Sequence, residues 1–298
     1  MLQTKLAQAA AHGAGKRQAE FRAARESGAW YGTGWMNMDE RRNEVKLSCR
    51  LTQIAKLVPA GSRVADIGTD HALLPVFLVQ RGQAAFAVAG DNKPGPLRAA
   101  QRQVSKAGLE QQISVRLGDG LEVIEPGEVD TVVIAGMGGS AIAGILERGA
   151  DRLAGVSRLV LQPNVGADAV RSWLFEHGWL LDGELIAAED GVFYEILTAR
   201  PEMTEADRTA GAALYAGYAV GPGLELKREM LLMLGPLLVR SGGEPFLAKW
   251  EDELEKREKI LRGMERAVTP EGEIRRNKLR EETNMIREVL RCLRTGKR

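Results

Sequence analysis

Val64-Ala65-Asp66-Ile67-Gly68-Thr69-Asp70-His71-Ala72-Leu73-Leu74-Pro75 runs on, one helix length later, to Ala84-Ala85-Phe86-Ala87-Val88-Ala89-Gly90-Asp91-Asn92. Each half holds a short unbroken apolar run that ends at Gly, the pattern of a strand buried on both faces of a parallel sheet. Two such runs one helix apart make a right-handed strand–helix–strand unit. Open α/β sheets bind their ligands at the carboxyl ends of such strands.

The turn narrows the ligand. A dinucleotide site takes Gly-x-Gly-x-x-Gly, because a pyrophosphate must approach bare backbone at a helix N-terminus. Here Asp70 stands where the second Gly would be, and Ala72 follows. A carboxylate repels phosphate and suits a cation, such as the ammonium or sulfonium end of S-adenosylmethionine. Asp91, about 20 residues onward, is placed to take both hydroxyls of a ribose. Asp66 and Asp70 have a second reading as caps of the following helix. Asp91 at that spacing favours a nucleoside-bearing ligand, and an acidic turn with no phosphate cradle favours S-adenosylmethionine over NAD.

The whole chain, 298 residues with 44% hydrophobic content and a net charge of +1, suits one α/β domain with a smaller appendage. Affinity for nucleic acid must then come from local patches. The two cysteines, Cys49 and Cys292, lie far apart and point to a reducing compartment. No apolar run approaches the ~20 residues of a membrane span, and the N-terminus lacks a secretory apolar core. The expectation is a cytoplasmic monomer with no metal and no membrane partner.

Residues 1–43 read as an N-terminal extension, rich in Ala, Gly, Gln and Arg, with Met36 and Met38 just before the first clear element. Either translation starts at one of those methionines, or the segment is a basic arm (Lys16, Arg17, Arg22, Arg25) that helps hold RNA. Lys46 to Val58 has the spacing of an amphipathic helix, with Arg50 on or beside it. Helices are predicted at Pro94–Ala107, Ser140–Arg148 and Ala167–His177, alternating with strands at Ile113–Leu117, Asp130–Ala135 and Arg158–Gln162. That alternation gives a doubly wound parallel sheet. Trp179–Ala188 and Val192–Ala199, joined only by Glu189-Asp190-Gly191, must pair antiparallel. A parallel sheet finished this way is the class I methyltransferase arrangement, expected over residues 44–200.

Residues 201–245 read as a connector, with Gly-Ala-rich Thr209 to Gly223 as a loop, Leu224 to Leu238 as a helix broken near Gly235-Pro236, and Ser241-Gly242-Gly243 as a linker. Over 246–298, Leu247, Trp250, Leu254, Leu261, Met264 and Val268 fall at heptad spacing, interrupted by Arg257. After Thr269-Pro270-Glu271-Gly272, Leu279, Ile286, Val289 and Leu293 form a second stripe. Two such helices pack as an antiparallel, coiled-coil-like hairpin. Ile274 to Arg298 carries nine Lys or Arg against three Glu, either a solvated face or a grip on RNA backbone. Arg275, Arg276, Lys278 and Arg287 are the candidate contacts.

Four strand ends converge on one cleft. Asp66, Gly68, Thr69, Asp70 and His71 follow the first strand, Asp91 and Asn92 the second, Asp119 and Gly120 the third, and Gly136, Met137, Gly138 and Gly139 the fourth. Asp119 is placed to accept from an adenine amino group, and Gly138-Gly139 to let a base approach the backbone. His71 lines the cofactor site at most.

The run Ala65 to Pro75, with Ile134-Ala-Gly-Met-Gly-Gly139, Leu161-Gln-Pro-Asn164, Val192-Phe-Tyr-Glu-Ile196 and Gly235-Pro-Leu-Leu238, resembles the TrmK family of bacterial tRNA methyltransferases. The similarity runs from about Lys46 to Leu293. It implies a class I methyltransferase domain with a C-terminal helical hairpin, S-adenosyl-L-methionine as methyl donor, tRNA as partner, and N1 of adenine 22 as target. The family's usual Ser and Tyr near the turn are here Thr69 and Leu73, so the hydroxyl stays and an aromatic contact goes.

For that reaction N1 is already unprotonated at neutral pH, and catalysis is mainly positioning. The product base is cationic, so a nearby carboxylate would stabilise it; Asp70 is the candidate, with the cofactor's amino group competing for it. Gln162 and Asn164 are the candidates to hold the adenine by its N1/N6 edge. Met137 and Tyr194 would pack against it, with Pro163 and Arg50 as further substrate contacts. Gln162-Pro163-Asn164 is otherwise a strand-ending turn. The rival functions are a class I methyltransferase acting on a protein or small molecule, and a non-catalytic RNA-binding protein with a vestigial fold.

Overall fold

The computed structural model describes residues 45–264 and 269–295; the N-terminal extension, Val268, Lys297 and Arg298 lie outside them. The first helix, α1 (Cys49–Leu57), starts three residues after the expected Lys46 because extended Ser48 caps it, its side chain accepting from Leu51 N. Then β1 (Ser62–Ile67), α2 (Leu73–Gln80), β2 (Ala84–Asp91), α3 (Pro94–Ala107), β3 (Ile113–Leu117), β4 (Thr131–Gly138), α4 (Gly139–Arg148), β5 (Arg158–Val165) and α5 (Ala167–Glu176) alternate. β6 (Trp179–Glu189) and β7 (Val192–Pro201) finish the sheet, whose order is β3-β2-β1-β4-β5-β7-β6. The first five strands are parallel, and β7 runs antiparallel to both neighbours. This is the doubly wound, class I methyltransferase sheet that the alternation predicts. Strand β4 outruns Ala135 because Gly136, at φ +80°, forms a bulge against β5.

Two layers of helix bury the sheet. Ile142, Leu146, Val170 and Leu174 from α4 and α5 cover one face. Ile54, Leu74, Val76, Ala100 and Val104 from α1 to α3 cover the other.

The connector is folded, contrary to the loop expected at Thr209 to Gly223. Thr204 and Asp207 form a capping box that starts α6 (Glu205–Tyr215): Thr204 N donates to Asp207 Oδ2 at 2.9 Å, and Asp207 N to Thr204 Oγ1 at 3.1 Å. Gly211 inside that helix leaves room for the Glu202 carboxylate, which would have to move for a Cβ there. A ribbon of β8 (Tyr218–Gly221) and β9 (Leu224–Leu226) follows. Then α7 (Arg228–Leu234) and α8 (Pro236–Ser241) are separated at Gly235-Pro236, where a break was expected. These pack with α9 (Glu244–Met264) and α10 (Pro270–Thr295) around Tyr215, Leu231, Phe246, Trp250, Ile286 and Val289. Arg257, which interrupts the heptad, bonds Glu282 across the hairpin at 2.9 Å.

Arg171 of α5 joins the two cores and has no exposed surface. Its Nε donates to Glu184 Oε1 at 2.7 Å, its Nη2 to Glu195 Oε2, and its Nη1 to Leu232 O at 2.8 Å. Glu184 Oε2 accepts from Leu237 N at 2.8 Å, and Lys249 of α9 pairs with Glu195. Burial opposes the guanidinium charge, but the two glutamates hold it above the ordinary arginine value. Burial likewise opposes the Glu195 carboxylate, and Arg171 and Lys249 hold it below the ordinary range. Removing one member of such a buried group costs about 3–5 kcal/mol. Arg171→Met should lower the stability read by urea denaturation by that amount; a loss under about 1 kcal/mol would mean that the glutamates do not need their partner.

Candidate active site

The carboxyl ends of β1 to β4 enclose a cavity of about 510 Å³, within the roughly 300–1,000 Å³ of small-molecule sites. Its floor is bare backbone. A Cβ on Gly90 or Gly118 would meet Val123 at 2.6 or 2.8 Å, and one on Gly120 would meet Ile145 at 2.9 Å. Gly68 leaves β1 at φ +73°, and its N–H and that of Thr69 donate to Gly90 O at 2.8 and 2.9 Å, tying two strand ends together. Met137 Cε fills the place of the missing Gly68 side chain.

Acidic groups stand at the rim. Asp91 Oδ1 accepts from Lys93 N at 2.7 Å, and Oδ2 has no partner among the described residues. Asp119 Oδ2 accepts from Arg148 Nη2 at 3.2 Å. Asn92, Gly120, Gly136 and Met137 also line the cavity, as expected. Lys93, Ser140 and Arg148 line it as well and were missed. Each sits at or near a helix end, where sequence periodicity gives no direction.

The turn after β1 places its acids otherwise than expected. Asp66 is buried beneath the cavity, where its carboxyl accepts from Thr69 Oγ1 at 2.6 Å. Burial pushes its pKa up to about 6, against the Thr69 hydrogen bond. The Asp70 side chain is 83% exposed and lies 3.6 Å from His71 Nε2; neither residue lines the cavity. Asp70 does not cap α2 either, whose N-terminus carries no side-chain cap. His71 and Ala72 both hold positive φ, 56° and 52°, a strained pair where the chain turns into α2. Gly138 caps α4 with open space where a Cβ would stand. Gly139, expected to admit a base, is buried, and a Cβ on it would overlap the Gly166 carbonyl. Its missing side chain serves packing.

A polar wall rises from Gly136. Gln162, with no exposed surface, accepts at Oε1 from Gly136 N (3.1 Å) and from Arg50 Nη1. Gln162 Nε2 donates to Asn164 Oδ1 at 3.0 Å, and Asn164 Nδ2 donates to Gly136 O at 2.8 Å. Only this orientation of the two amides lets every donor meet an acceptor. Exposed Asn164 keeps one N–H and one oxygen lone pair. The Arg50 guanidinium lies 5.3 Å from the centre of the Tyr194 ring, and Arg50 N donates to Glu189 Oε1 at 3.3 Å. Beyond Asn164 a second cavity of about 330 Å³ runs from buried Pro163 to Lys249 and Trp250 of α9.

The hairpin candidates are divided. Arg287 bonds Glu258 at 2.9 Å and Arg276 lies 3.8 Å from Glu273. Arg275 and Lys278 are exposed and unpaired among the described residues. Over its described length the hairpin holds twelve Lys or Arg and eleven Asp or Glu, so α9 balances the positive excess of α10. Among the described residues no group of three or more His, Cys, Asp or Glu is gathered to hold a metal. None of the described helices is long and apolar enough to cross a membrane. A glycine floor, rim carboxylates and no phosphate cradle fit a nucleoside joined to a cationic amino acid, which describes S-adenosyl-L-methionine.

A family model described as TrmK, tRNA (adenine(22)-N(1))-methyltransferase, matches residues 64–289. The chain is 41% identical over 249 residues to a tRNA (adenine(22)-N(1))-methyltransferase of Bacillus subtilis, spanning 83% of this chain and 98% of that one. The crystal structure of the B. subtilis m1A22 tRNA methyltransferase TrmK is similar at TM-score 0.72 and 40% identity, over 83% of this chain and 100% of that one. A Streptococcus pneumoniae protein solved in complex with S-adenosyl-L-methionine is similar at TM-score 0.68 and 36% identity, over 82% and 100% of the two chains.

Asp66 gives this site a pH dependence. The folded chain keeps the Asp66 proton up to about pH 6, whereas an ordinary carboxyl releases it near 3.8. The folded state therefore binds that proton more tightly, and this group's contribution to stability falls as pH rises from about 4 to 6 and stays low above. The fall is about 3 kcal/mol at most. Asp66→Asn should match the parent in denaturation midpoint at pH 4 and exceed it at pH 8; equal midpoints at both would show that the buried carboxyl carries no such penalty.

Proposed function

The chain belongs to the TrmK family of tRNA (adenine(22)-N(1))-methyltransferases, and we propose that its Asp91–Asp119 cavity holds the methyl donor while the Gly136–Gln162–Asn164 wall receives the target base. The reaction is transfer of a methyl group from S-adenosyl-L-methionine to N1 of adenine 22 in tRNA. One observation carries the assignment of the site. Gly136 lines the cavity, its N–H donates to Gln162, and its carbonyl accepts from Asn164. Donor cavity and open amide thus meet at a single bulge residue.

The cofactor supplies an electrophilic methyl on a sulfonium, and the residues of the chain supply position. N1 must keep its lone pair free to attack, so no side chain can donate to it. An amide bound to the N1/N6 edge would occupy the nucleophile; bound to the N7/N6 edge it leaves N1 clear. The free Asn164 N–H therefore donates to N7 and the free oxygen lone pair accepts from N6–H, which replaces the N1/N6 edge expected from sequence. Gln162, already engaged by Arg50 and Gly136, is a positioning residue. Tyr194, held beneath Arg50, and Met137 offer apolar faces to the extruded base. Asp70, exposed and outside the cavity lining, takes no part in this arrangement, in place of the charge-stabilising role expected from sequence. In this reading residues 44–200 carry the chemistry, 201–245 join, and the 246–298 hairpin is the appended part.

Incubating the protein with labelled S-adenosylmethionine and unmodified tRNA should place one methyl on adenine 22, mapped by the reverse-transcription stop of N1-methyladenine. No stop at that position, or label elsewhere, would overturn the reading. A bidentate amide–adenine contact is worth about 1–3 kcal/mol, roughly 5- to 150-fold. Asn164→Ala should lower kcat/KM within that range, and 7-deazaadenine at position 22 should lower the parent's by a similar factor while leaving the variant's unchanged. Full activity of the parent on the deaza substrate would remove N7 from the contact.

A further inference from the structure

Helix α3 carries Arg98, Arg102 and Lys106, all exposed, and no carboxylate along its length. Four-residue spacing sets the three on one face, about 6 Å apart along the helix axis. None of the three takes part in an ion pair or hydrogen bond among the described residues. Arginines elsewhere are mostly engaged: Arg116 with Glu128, Arg148 with Asp119, Arg158 with Asp182 and Arg200 with Asp207. Like charges at this spacing repel and weaken a helix, although Lys106 in the last turn is favoured by the helix dipole. A row of this kind is complemented by a ligand that is itself a row of negative charges.

We propose that the ridge Arg98–Arg102–Lys106 is a contact surface for the phosphate backbone of the tRNA whose adenine enters the cleft, an inference that rests on the function proposed above. Continuity with the cleft supports it. Lys93 and Pro96, at the start of the same helix, line the cavity, so the ridge leads away from the rim where the base would enter. The hairpin, where the sequence offered an RNA grip or a solvated face, has part of its positive charge already answered. Arg287 pairs with Glu258, Arg294 with Glu251 and Arg291 with Glu288. Those three cations are already answered within the chain, whereas Arg275 and Lys278 of the hairpin stand unpaired among the described residues, as the ridge cations do. Each phosphate neutralised by a ridge side chain releases condensed counterions, which makes the contact measurable through its salt dependence.

The test compares the full-length parent with two charge reversals, Arg98→Glu/Arg102→Glu/Lys106→Glu on the ridge and Arg275→Glu/Lys278→Glu on the hairpin. Ridge reversal should raise KM for tRNA about 10-fold or more and reduce the slope of log affinity against log salt by about 2 to 3. Its kcat at saturating tRNA, its S-adenosylmethionine affinity by calorimetry and its melting temperature should match the parent. Hairpin reversal should stay within about twofold of the parent. A ridge variant with the parent's KM and salt slope would overturn the proposal, as would a hairpin variant that carries the whole loss. If the triple reversal lowers the melting temperature, Arg98→Gln/Arg102→Gln/Lys106→Gln gives the same comparison without added repulsion. If the parent leaves adenine 22 unmethylated, the proposed function fails, while filter retention of the same tRNA still decides the ridge.

Discussion

A guanidinium with no path to water holds this molecule together. Arg171 reaches Glu184 and Glu195 on the two antiparallel strands, and those carboxylates reach on to the backbone of α8 and the ammonium of α9. Each charge is tolerable only because the others are in place, since an isolated buried ion faces a desolvation penalty of several kcal/mol. Glu195 follows Tyr194 directly, so the cluster that fixes β7 also fixes the strand segment presenting the ring beneath Arg50. The polar wall beside the cavity inherits its rigidity from a contact on the far side of the same strand.

The cavity itself is made by what is missing. Gly90, Gly118 and Gly120 let two chain segments, the end of β2 and the loop after β3, approach side chains that any Cβ would strike. Gly139 does the same where α4 starts against the loop after β5. The wall is made by what is shared: Gly136 uses both its N–H and its carbonyl on two amides, which is why the bulge in β4 and the end of β5 act as one surface. Rim carboxylates then set the sign of what enters.

The sheet was legible because buried parallel strands are unbroken apolar runs and because a three-residue connection leaves β6 and β7 no pairing but antiparallel. Helix α3 was legible to the residue, with Pro94 at its first turn and Gly108 in the left-handed region at its end. The folded connector was not, since Ala and Gly composition hides a helix that begins from the Thr204–Asp207 box. Arg171 was equally hidden: a single Arg on an amphipathic helix looks like solvent-facing charge until its partners on distant strands are known. Asp70 shows the converse, because an acid at a strand end need not turn inward when two strained residues follow it. In the basic stretch of α10, the acids that answer Arg287 and Arg294 lie on α9, beyond the reach of any one-helix pattern.

Lys249 follows Glu195 by 54 residues. A ribosome adding about 5–20 residues per second delivers β7 roughly 3 to 10 s before α9. For most of that interval the nascent chain has Arg171 and both glutamates, but neither the amide of Leu237 nor the ammonium of Lys249 to complete them; Leu237 arrives 12 residues before Lys249. The last hairpin of the sheet is therefore provisional during synthesis, and it becomes final when the C-terminal helices leave the exit tunnel and close over it.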